Sequence, residues 1–424
     1  MMKYSENLKK TEKAVLVGIE TAGDRSEAVE ESMKELERLA DTAGAEVVGR
    51  LIQKRIRPDV STVLGRGKAM EMARLCGETE ADIVIFDREL SPAQTRNLEE
   101  IAGVRVIDRS RLILDIFACR AKTREGKLQV ELAQLNFLLP RLTGIGTELS
   151  RLGGGIGTRG PGETKLEVDR RRIRKRISDL KREIEEVRRH REILRRGRRE
   201  VPVTQVSIVG YTNAGKSTLL KKLTSADVLV EDKLFATLDP TTRRIVLPNN
   251  ENVLITDTVG FISNLPHHLV AAFRATLEEV TEADVLLHVI DISHPNAIGQ
   301  AETVKDVLES LGAGQKPTIT VYNKIDQVSV DQIPILDNFW GDAPVLISAH
   351  TGFGLDELLD RIARAAARRR VRRQFFLPFA RTGLLPVIFE RGRVISQDHG
   401  PEGVTVEAEM EEVWASRIEA MLKD

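Results

Sequence analysis

The sequence predicts a multidomain α/β protein, and three observations carry that prediction. Strand-length apolar runs alternate with helix-length amphipathic runs over residues 13–120 and again beyond residue 201, the pattern of mostly parallel sheets covered by helices. Between these stretches the period changes to a heptad-like spacing of leucine and isoleucine, which calls for long helices. Residues 210–217 form a glycine-containing loop between a strand-like run and a helix-like one. The chain of 424 residues is long enough for about three domains or more. We divide it into an N-terminal α/β domain (1–122), an antiparallel helical hairpin (123–200), a P-loop domain with a mostly parallel sheet (201–368) and a small C-terminal α+β module (369–424).

In the first domain Val15, Leu16 and Val17 read as a strand, followed by an amphipathic helix over 26–40 with Val29, Met33, Leu36 and Leu39 on one face. Further strands are expected over 47–56, 83–86 and 104–107. Ser91 and Pro92 suit a helix start, the hydroxyl as cap and proline in the first turn. Gly65, Arg66, Gly67 and Lys68 form a basic turn opening a helix, which either contacts phosphate or simply starts the helix. No catalytic constellation is visible in this domain.

In the second, Leu128, Leu132, Leu135, Leu139 and Leu142 are spaced 4-3-4-3, and Ile173, Ile177, Leu180, Ile184 and Val187 repeat that spacing. Two such seams joined by a loop fold most simply as an antiparallel hairpin. The second arm, over 163–196, would be about 50 Å long at a rise of about 1.5 Å per residue. Arg170, Arg171, Arg172, Arg174, Lys175 and Arg176 crowd its loop end, an excess of positive charge suited to RNA phosphates, although Glu185 and Glu186 also fit a solvated helix face. The joining loop, with Gly153, Gly154, Gly155, Gly157, Arg159, Gly160 and Gly162, makes a flexible basic tip.

The third domain carries the chemistry. Gly210, Tyr211, Thr212, Asn213, Ala214, Gly215, Lys216 and Ser217, with Thr218 after them, have the pattern of a phosphate-binding loop. Glycines let backbone N–H groups converge on phosphate oxygens at a helix N-terminus, Lys216 adds a point charge, and the Ser217 hydroxyl suits Mg²⁺. Asn323, Lys324, Ile325 and Asp326 follow a strand-like run and look like a guanine reader. A buried Asp326 carboxylate would accept from guanine N1–H and N2–H and be poorly paired by adenine. Asn323 would reach the other edge of the base or brace the loop, and the Lys324 stem would cover one ring face. Asp257, Thr258, Val259 and Gly260 end another buried strand, placing an acid near Mg²⁺ and the Gly260 amide near the γ-phosphate. Between them lie Phe235, Ala236, Thr237, Leu238 and Asp239, with Thr237 expected as a second hydroxyl ligand of Mg²⁺ and Thr241 and Thr242 as rivals. Ser348, Ala349 and His350 leave a further strand, and the Ala349 amide could donate to guanine O6. GTP or GDP is therefore the expected ligand. Lys216, Thr237, Gly260 and Asn213 form the candidate catalytic set, and Ser217, Thr237 and Asp257 the candidate metal set.

These elements in this order resemble the translation-factor-related class of GTPases, and residues 210–217, 235–242 and 257–261 are similar to the HflX family of bacterial ribosome-associated GTPases. Residues 123–135, Leu139, Pro140, Arg141 and Leu142, and residues 160–167 are similar to that family's helical region, so the resemblance covers most of 13–365. It implies a GTPase that forms GDP and phosphate, binds the large ribosomal subunit and the 70S ribosome through rRNA, and splits or rescues ribosomes. It also implies a hairpin tip directed toward the peptidyl-transferase region. A GTPase assisting large-subunit assembly, or an RNA-binding protein using GTP only as a conformational switch, would share these motifs. Many related GTPases carry glutamine after the Asp-x-x-Gly motif to orient water; here Phe261 stands there, so low intrinsic turnover and stimulation by the ribosome are expected. Asn213 sits where similar GTPases recruit K⁺ as a fixed charge.

The remaining composition is consistent with a cytoplasmic monomer. Lys plus Arg and Asp plus Glu each number 64, so bulk charge announces no DNA partner. The first residues lack the apolar core of a signal peptide, and no run approaches the roughly 20 apolar residues of a transmembrane segment. Cys76 and Cys119 lack metal-like spacing and are expected as buried free thiols. A helix running into the basic cluster Arg368–Arg373 and strand-like runs over 383–389 and 403–409, closed by a helix, complete the chain.

Overall fold

The computed structural model describes residues 11–142, 165–199, 203–224, 234–235, 237–263, 277–329, 343–367 and 370–423. The chain divides into two compact units, one of residues 1–186 with 231–239 and 264–274, the other of 187–230, 240–263 and 275–424.

The first unit opens with a four-stranded parallel sheet in the order β2-β1-β3-β4, made of β1 (Glu12–Glu20), β2 (Ala45–Lys54), β3 (Ile83–Phe86) and β4 (Arg105–Asp108). Helices α1 (Ser26–Ala43), α2 (Arg66–Thr79), α3 (Pro92–Ala102) and α4 (Arg109–Arg120) connect and cover it. The expected stripe of α1 is buried, with Met33, Leu36 and Leu39 fully so. Ser91 caps α3 in a reciprocal box with Gln94, satisfying two amides that the helix cannot satisfy itself. Cys76 is buried, whereas Cys119 is exposed, contrary to the expectation of two buried thiols. Arg109, at the start of α4, is buried and ion-paired to both Glu35 and Asp87, with Ser32 joining the network.

The same unit contains α5 (Arg124–Leu138), a 3-10 turn (Leu139–Leu142) and most of α6 (Lys165–Arg199). Arg176 of α6 forms a two-pronged contact with Glu131 of α5, Nε to Oε1 at 2.7 Å and Nη2 to Oε2 at 2.8 Å. On α6 the predicted seam holds, with Ile177 and Leu180 buried and Ile173, Ile184 and Val187 partly so. On α5 the buried face differs from the leucine seam. Leu128, Val130, Ala133 and Phe137 are buried while Leu132, Leu135 and Leu139 are half-buried. The spacing rule assumes one partner helix, but α5 also packs against α4, and the Arg141 guanidinium lies 3.5 Å from the centre of the Phe137 ring. The glycine-rich tip, including Arg151 and Arg159, lies outside the described residues.

The second unit holds a six-stranded sheet in the order β10-β9-β8-β5-β7-β6. Its strands are β5 (Thr204–Gly210), β6 (Thr241–Val246), β7 (Asn252–Asp257), β8 (Val285–Asp291), β9 (Thr318–Asn323) and β10 (Val345–Leu346). All neighbours are parallel except β6, which runs antiparallel to β7. Its helices are α7 (Lys216–Thr224), α8 (Glu278–Glu282), α9 (Ala297–Ser310) and α10 (Leu355–Ala367). Val206, Ile208, Ile255, Leu287, Val289, Val321, Leu219 and Leu358 form one core, explaining why the central strands read as continuous apolar runs.

The tail departs from expectation in two places. Arg370–Arg373 opens strand β11 (Arg370–Pro378) rather than extending α10. Leu385–Arg391 is a short helix, α11, although Val387, Ile388 and Phe389 suggest a strand. Pro386 lacks the N–H a ladder needs but fits a first helical turn, so the local backbone overrides β-branched content. Strands β12 (Gly392–Gly400) and β13 (Gly403–Glu411) join β11 in the order β11-β13-β12, and α12 (Glu412–Lys423) buries Ala415 and Ile418 against them. Among the described residues no helix is long and apolar enough to cross a membrane.

Replacing Arg109 by methionine strands Glu35 and Asp87 as neighbouring, partly buried carboxylates. The expected loss is about 3–5 kcal/mol in the denaturation of the first unit, measured by urea titration, whereas Arg176→Ala at the exposed pair should cost about 1 kcal/mol or less.

Candidate nucleotide-binding site

The loop from Gly210 to Ser217 leaves the C-terminal end of β5 and turns into α7. Its shape is set by close approach. At Gly215, with φ +93°, a Cβ would lie 2.2 Å from Asn323 Nδ2, and at Gly210 it would lie 2.3 Å from the Val289 carbonyl oxygen. Asn213 adopts φ +61°, a conformation asparagine tolerates better than most residues, and its side chain is exposed. The amides of the first turn of α7 point out of the helix end, where the helix dipole is positive.

Lys216 is buried, and its Nζ donates to the Gly210 and Tyr211 carbonyls at 3.1 and 2.6 Å. Burial lowers its pKa from 10.5 to about 8, against the opposing charge of Asp257. Ser217 Oγ donates to Asp257 Oδ2 at 2.6 Å, bringing the loop hydroxyl and the acid at the end of β7 together. Both donors are hard oxygens, the chemistry Mg²⁺ prefers. The Gly260 position is equally tight: a Cβ there would lie 2.8 Å from Thr212 Cα and 2.9 Å from Lys216 Nζ. Thr258 is fully buried and donates to the Ile208 carbonyl at 2.7 Å, a structural role, and Val259 is also buried.

Phe261 is buried and its backbone is stitched to the loop. The Thr212 amide donates to the Phe261 carbonyl at 2.7 Å, and the Phe261 amide to the Gly210 carbonyl at 3.1 Å. The Tyr211 hydroxyl extends this seam, donating to Ser263 Oγ and accepting from the Ser263 amide, each at 2.7 Å.

Asn323 joins three motifs. Its Nδ2 donates to the Ala214 carbonyl at 2.8 Å, and its Oδ1 accepts from the Ala349 amide at 2.9 Å. Asn323 thus braces the loop, and the Ala349 amide is engaged in the same brace. Lys324, at φ +66°, reaches back with Nζ to Asp291 Oδ2 at 2.6 Å. Ile325 packs beside Ile290 and Tyr322. Asp326 is exposed rather than buried, so the desolvation that sharpens base selection comes only from a base laid over it. Ser348 is buried and its Oγ accepts from the Thr351 amide at 3.1 Å, while His350 is exposed.

Phe235, Thr237, Leu238 and Asp239 belong to the first unit, and Ala236 lies outside the described residues. Thr241 faces Asp257 in the β6–β7 register, and Thr242 Oγ1 is 2.9 Å from Thr256 Oγ1. Two residues were not anticipated. Asp291 anchors Lys324, and its position at the end of β8 was the available signal. His288 lies fully buried in β8, and burial, with the Lys216 charge adding, pushes its pKa down to about 3, so it is neutral. A histidine inside an apolar run carried no periodic signal.

A mostly parallel sheet, a glycine-containing loop leaving β5 for α7 and a second loop braced against it through Asn323 define a P-loop protein of the GTPase class. Comparison with known proteins narrows this. Residues 30–118 match the family described as GTP-binding GTPase N-terminal, residues 120–198 the GTP-binding GTPase Middle Region, and residues 205–324 the 50S ribosome-binding GTPase. GTPase HflX of Caldanaerobacter subterraneus subsp. tengcongensis is 50% identical over 399 residues, covering 94% of this chain and 91% of that protein. GTPase HflX of Lacrimispora saccharolytica is 49% identical over 397 residues, covering 94% and 93%. GTPase HflX of Escherichia coli K12 is 48% identical over 353 residues, covering 83% and 82%. The chain belongs to the HflX family of GTPases.

Gly215→Ala is expected to abolish GDP binding, measured by fluorescence of a labelled nucleotide, because the added methyl displaces Asn323 and the residue is held at positive φ. The fold should lose about 1–3 kcal/mol, read as a lowered melting temperature.

Proposed function

We propose that this chain is a GTP-hydrolysing factor that binds the large ribosomal subunit and splits or rescues ribosomes, the arginine-rich hairpin tip contacting rRNA. The observation that supports a guanine-nucleotide switch most directly is the Asn323 brace, which sets Lys216 and Asp326 in one rigid frame. A triphosphate then meets amides and ammonium at one end and a carboxylate for guanine at the other. The ribosomal assignment rests on the match to a 50S ribosome-binding GTPase family over the nucleotide domain and on the basic surface of α6.

Ser217, Asp257 and, from the segment before β6, Thr237 would hold Mg²⁺, whose charge neutralises the outer phosphates when it is bound. Lys216 positions the phosphates, and the Gly260 backbone approaches closely enough to meet the terminal one. Phe261 is buried and hydrogen-bonded only through its backbone, so its side chain neither orients nor polarises water. Hydrolysis then depends on groups supplied from outside, for which the ribosome is the expected source. The exposed side chain of Asn213 makes it the candidate K⁺ ligand, which would add a fixed charge. The protein is expected to act as a cytoplasmic monomer.

Intact 70S particles incubated with the protein and a non-hydrolysable GTP analogue should yield free subunits on a sucrose gradient; intact particles would favour the assembly reading instead. Phosphate release should be slow with protein alone and rise on adding large subunits; no release under either condition leaves only the conformational-switch reading. Asp326→Ala should weaken GTP binding by about 100-fold, two charge-assisted hydrogen bonds being lost, with ATP binding unaffected. Arg151→Ala with Arg159→Ala should weaken large-subunit binding in pelleting assays and flatten its salt dependence by about one unit of slope per lost phosphate contact.

A further inference from the structure

Strands β8 and β9 end side by side within the second unit, Asp291 paired in register with Asn323. The loops that leave them share one side chain. Asp291 Oδ1 accepts from the Ser293 amide at 3.1 Å and from Ser293 Oγ at 2.6 Å, which fixes the turn after β8. Its other oxygen, Oδ2, accepts from Lys324 Nζ at 2.6 Å. The side chain of Asp291 is 12% exposed and that of Lys324 23%, so solvent screens this pair far less than an open surface pair. A backbone bond runs alongside, the Ile292 amide donating to the Asn323 carbonyl at 3.2 Å.

Lys324 needs such a hold. It sits at φ +66° and ψ +33°, a left-handed conformation that a residue with a Cβ keeps only when its surroundings enforce it. From it starts the 3-10 turn Ile325–Gln327, its carbonyl accepting from the Gln327 amide at 3.0 Å. Ile325 is tied to the Ile347 carbonyl at 3.3 Å and packs beside Ile290 and Tyr322. Asp326 is the next residue of that turn and is exposed. The residue before the turn is thus pinned by Asp291, and the turn's first residue by the core.

We propose that Asp291 is a positioning residue that sets guanine specificity: by holding Lys324 Nζ it fixes the left-handed residue from which the Asp326 turn starts, and so the direction of the carboxylate offered to guanine N1–H and N2–H. This rests on the reading of residues 323–326 as the base-reading loop. Asp326 is exposed, so burial alone does not penalise a wrong base, and selection depends on both hydrogen bonds being made together. A turn free to pivot keeps one of them and loses the other. Pinned at its far end, the Lys324 stem also stays against the ring face it would cover. Asp291 acts through Lys324 and touches no ligand.

The experiment is calorimetric titration of the full chain with GDP and with inosine diphosphate, which differs only in lacking the N2 amine. The ratio of the two affinities reports the second bond to Asp326 and cancels the phosphate end. Wild type should bind GDP about 10-fold or more tightly than inosine diphosphate. Asp291→Asn keeps an oxygen for Ser293 but turns an amide toward Lys324; it should bring the ratio to about 2-fold or less and weaken GDP about 10-fold. Lys324→Met reaches the same contact from its other end, keeps an apolar stem, and should lower the ratio likewise. The double variant should be no worse than the more affected single one, because both remove one interaction. An unchanged ratio in the single variants, an equal weakening of both nucleotides such as a loosened domain would give, or additive effects in the double variant would each overturn the inference. Asp326→Ala separates it from the reading beneath: if that variant abolishes the ratio while Asp291→Asn does not, the loop reads the base without Asp291. A wild type that does not distinguish the two nucleotides removes the base-reading loop itself and this inference with it.

Discussion

The candidate site depends on one side-chain amide. Asn323 offers a donor and an acceptor pointing in opposite directions, and the protein uses both on backbone groups, the Ala214 carbonyl of the phosphate loop and the Ala349 amide of the last loop. Three segments from distant parts of the chain are thereby held at hydrogen-bond distance in a buried environment, where each bond is stronger than at the surface and its loss leaves a desolvated polar group. Gly215 exists in that form because the amide arrives where a Cβ would be. The loop after β5, the end of β9 and the loop after β10 are thus tied together through one side chain.

Around this brace the structure places charges where burial alters them. Lys216, enclosed and leaning on two carbonyls, gives up part of its preference for the ammonium form, and the neutral His288 beneath it avoids adding a second positive charge. A phosphate loop with its lysine restrained before the ligand arrives loses little side-chain freedom on binding. The same economy explains Phe261: its ring completes the core and its backbone closes the loop, so a residue that elsewhere handles water serves here to hold the phosphate loop in shape.

Much of this was legible in the residues. Local features could be read directly: the strand–loop–helix around Gly210–Ser217, the place of Asp257 at the end of a buried strand, the Ser91 cap and the stripe of α1. Where one residue answers to two neighbours, the pattern misled. The leucines at 4-3-4-3 spacing suggested a single seam, but α5, which packs on α4 and is ion-paired to α6 through Glu131 and Arg176, also buries Val130, Ala133 and Phe137 and leaves Leu132 and Leu135 half-buried. Val387, Ile388 and Phe389 looked like a strand, and Pro386 turned them into a helix.

Sequence alone determined the class of the protein, a GTPase, because nucleotide binding demands particular residues at particular spacings along short stretches of chain. Tertiary structure decided which of those groups brace and which stay open to a ligand, because that depends on partners brought in from 26 to 117 residues away, as with Asn323 and Ala349, or Asp239 and Lys122. A hydrogen bond is a statement about distance in space, and separation along the chain does not constrain it.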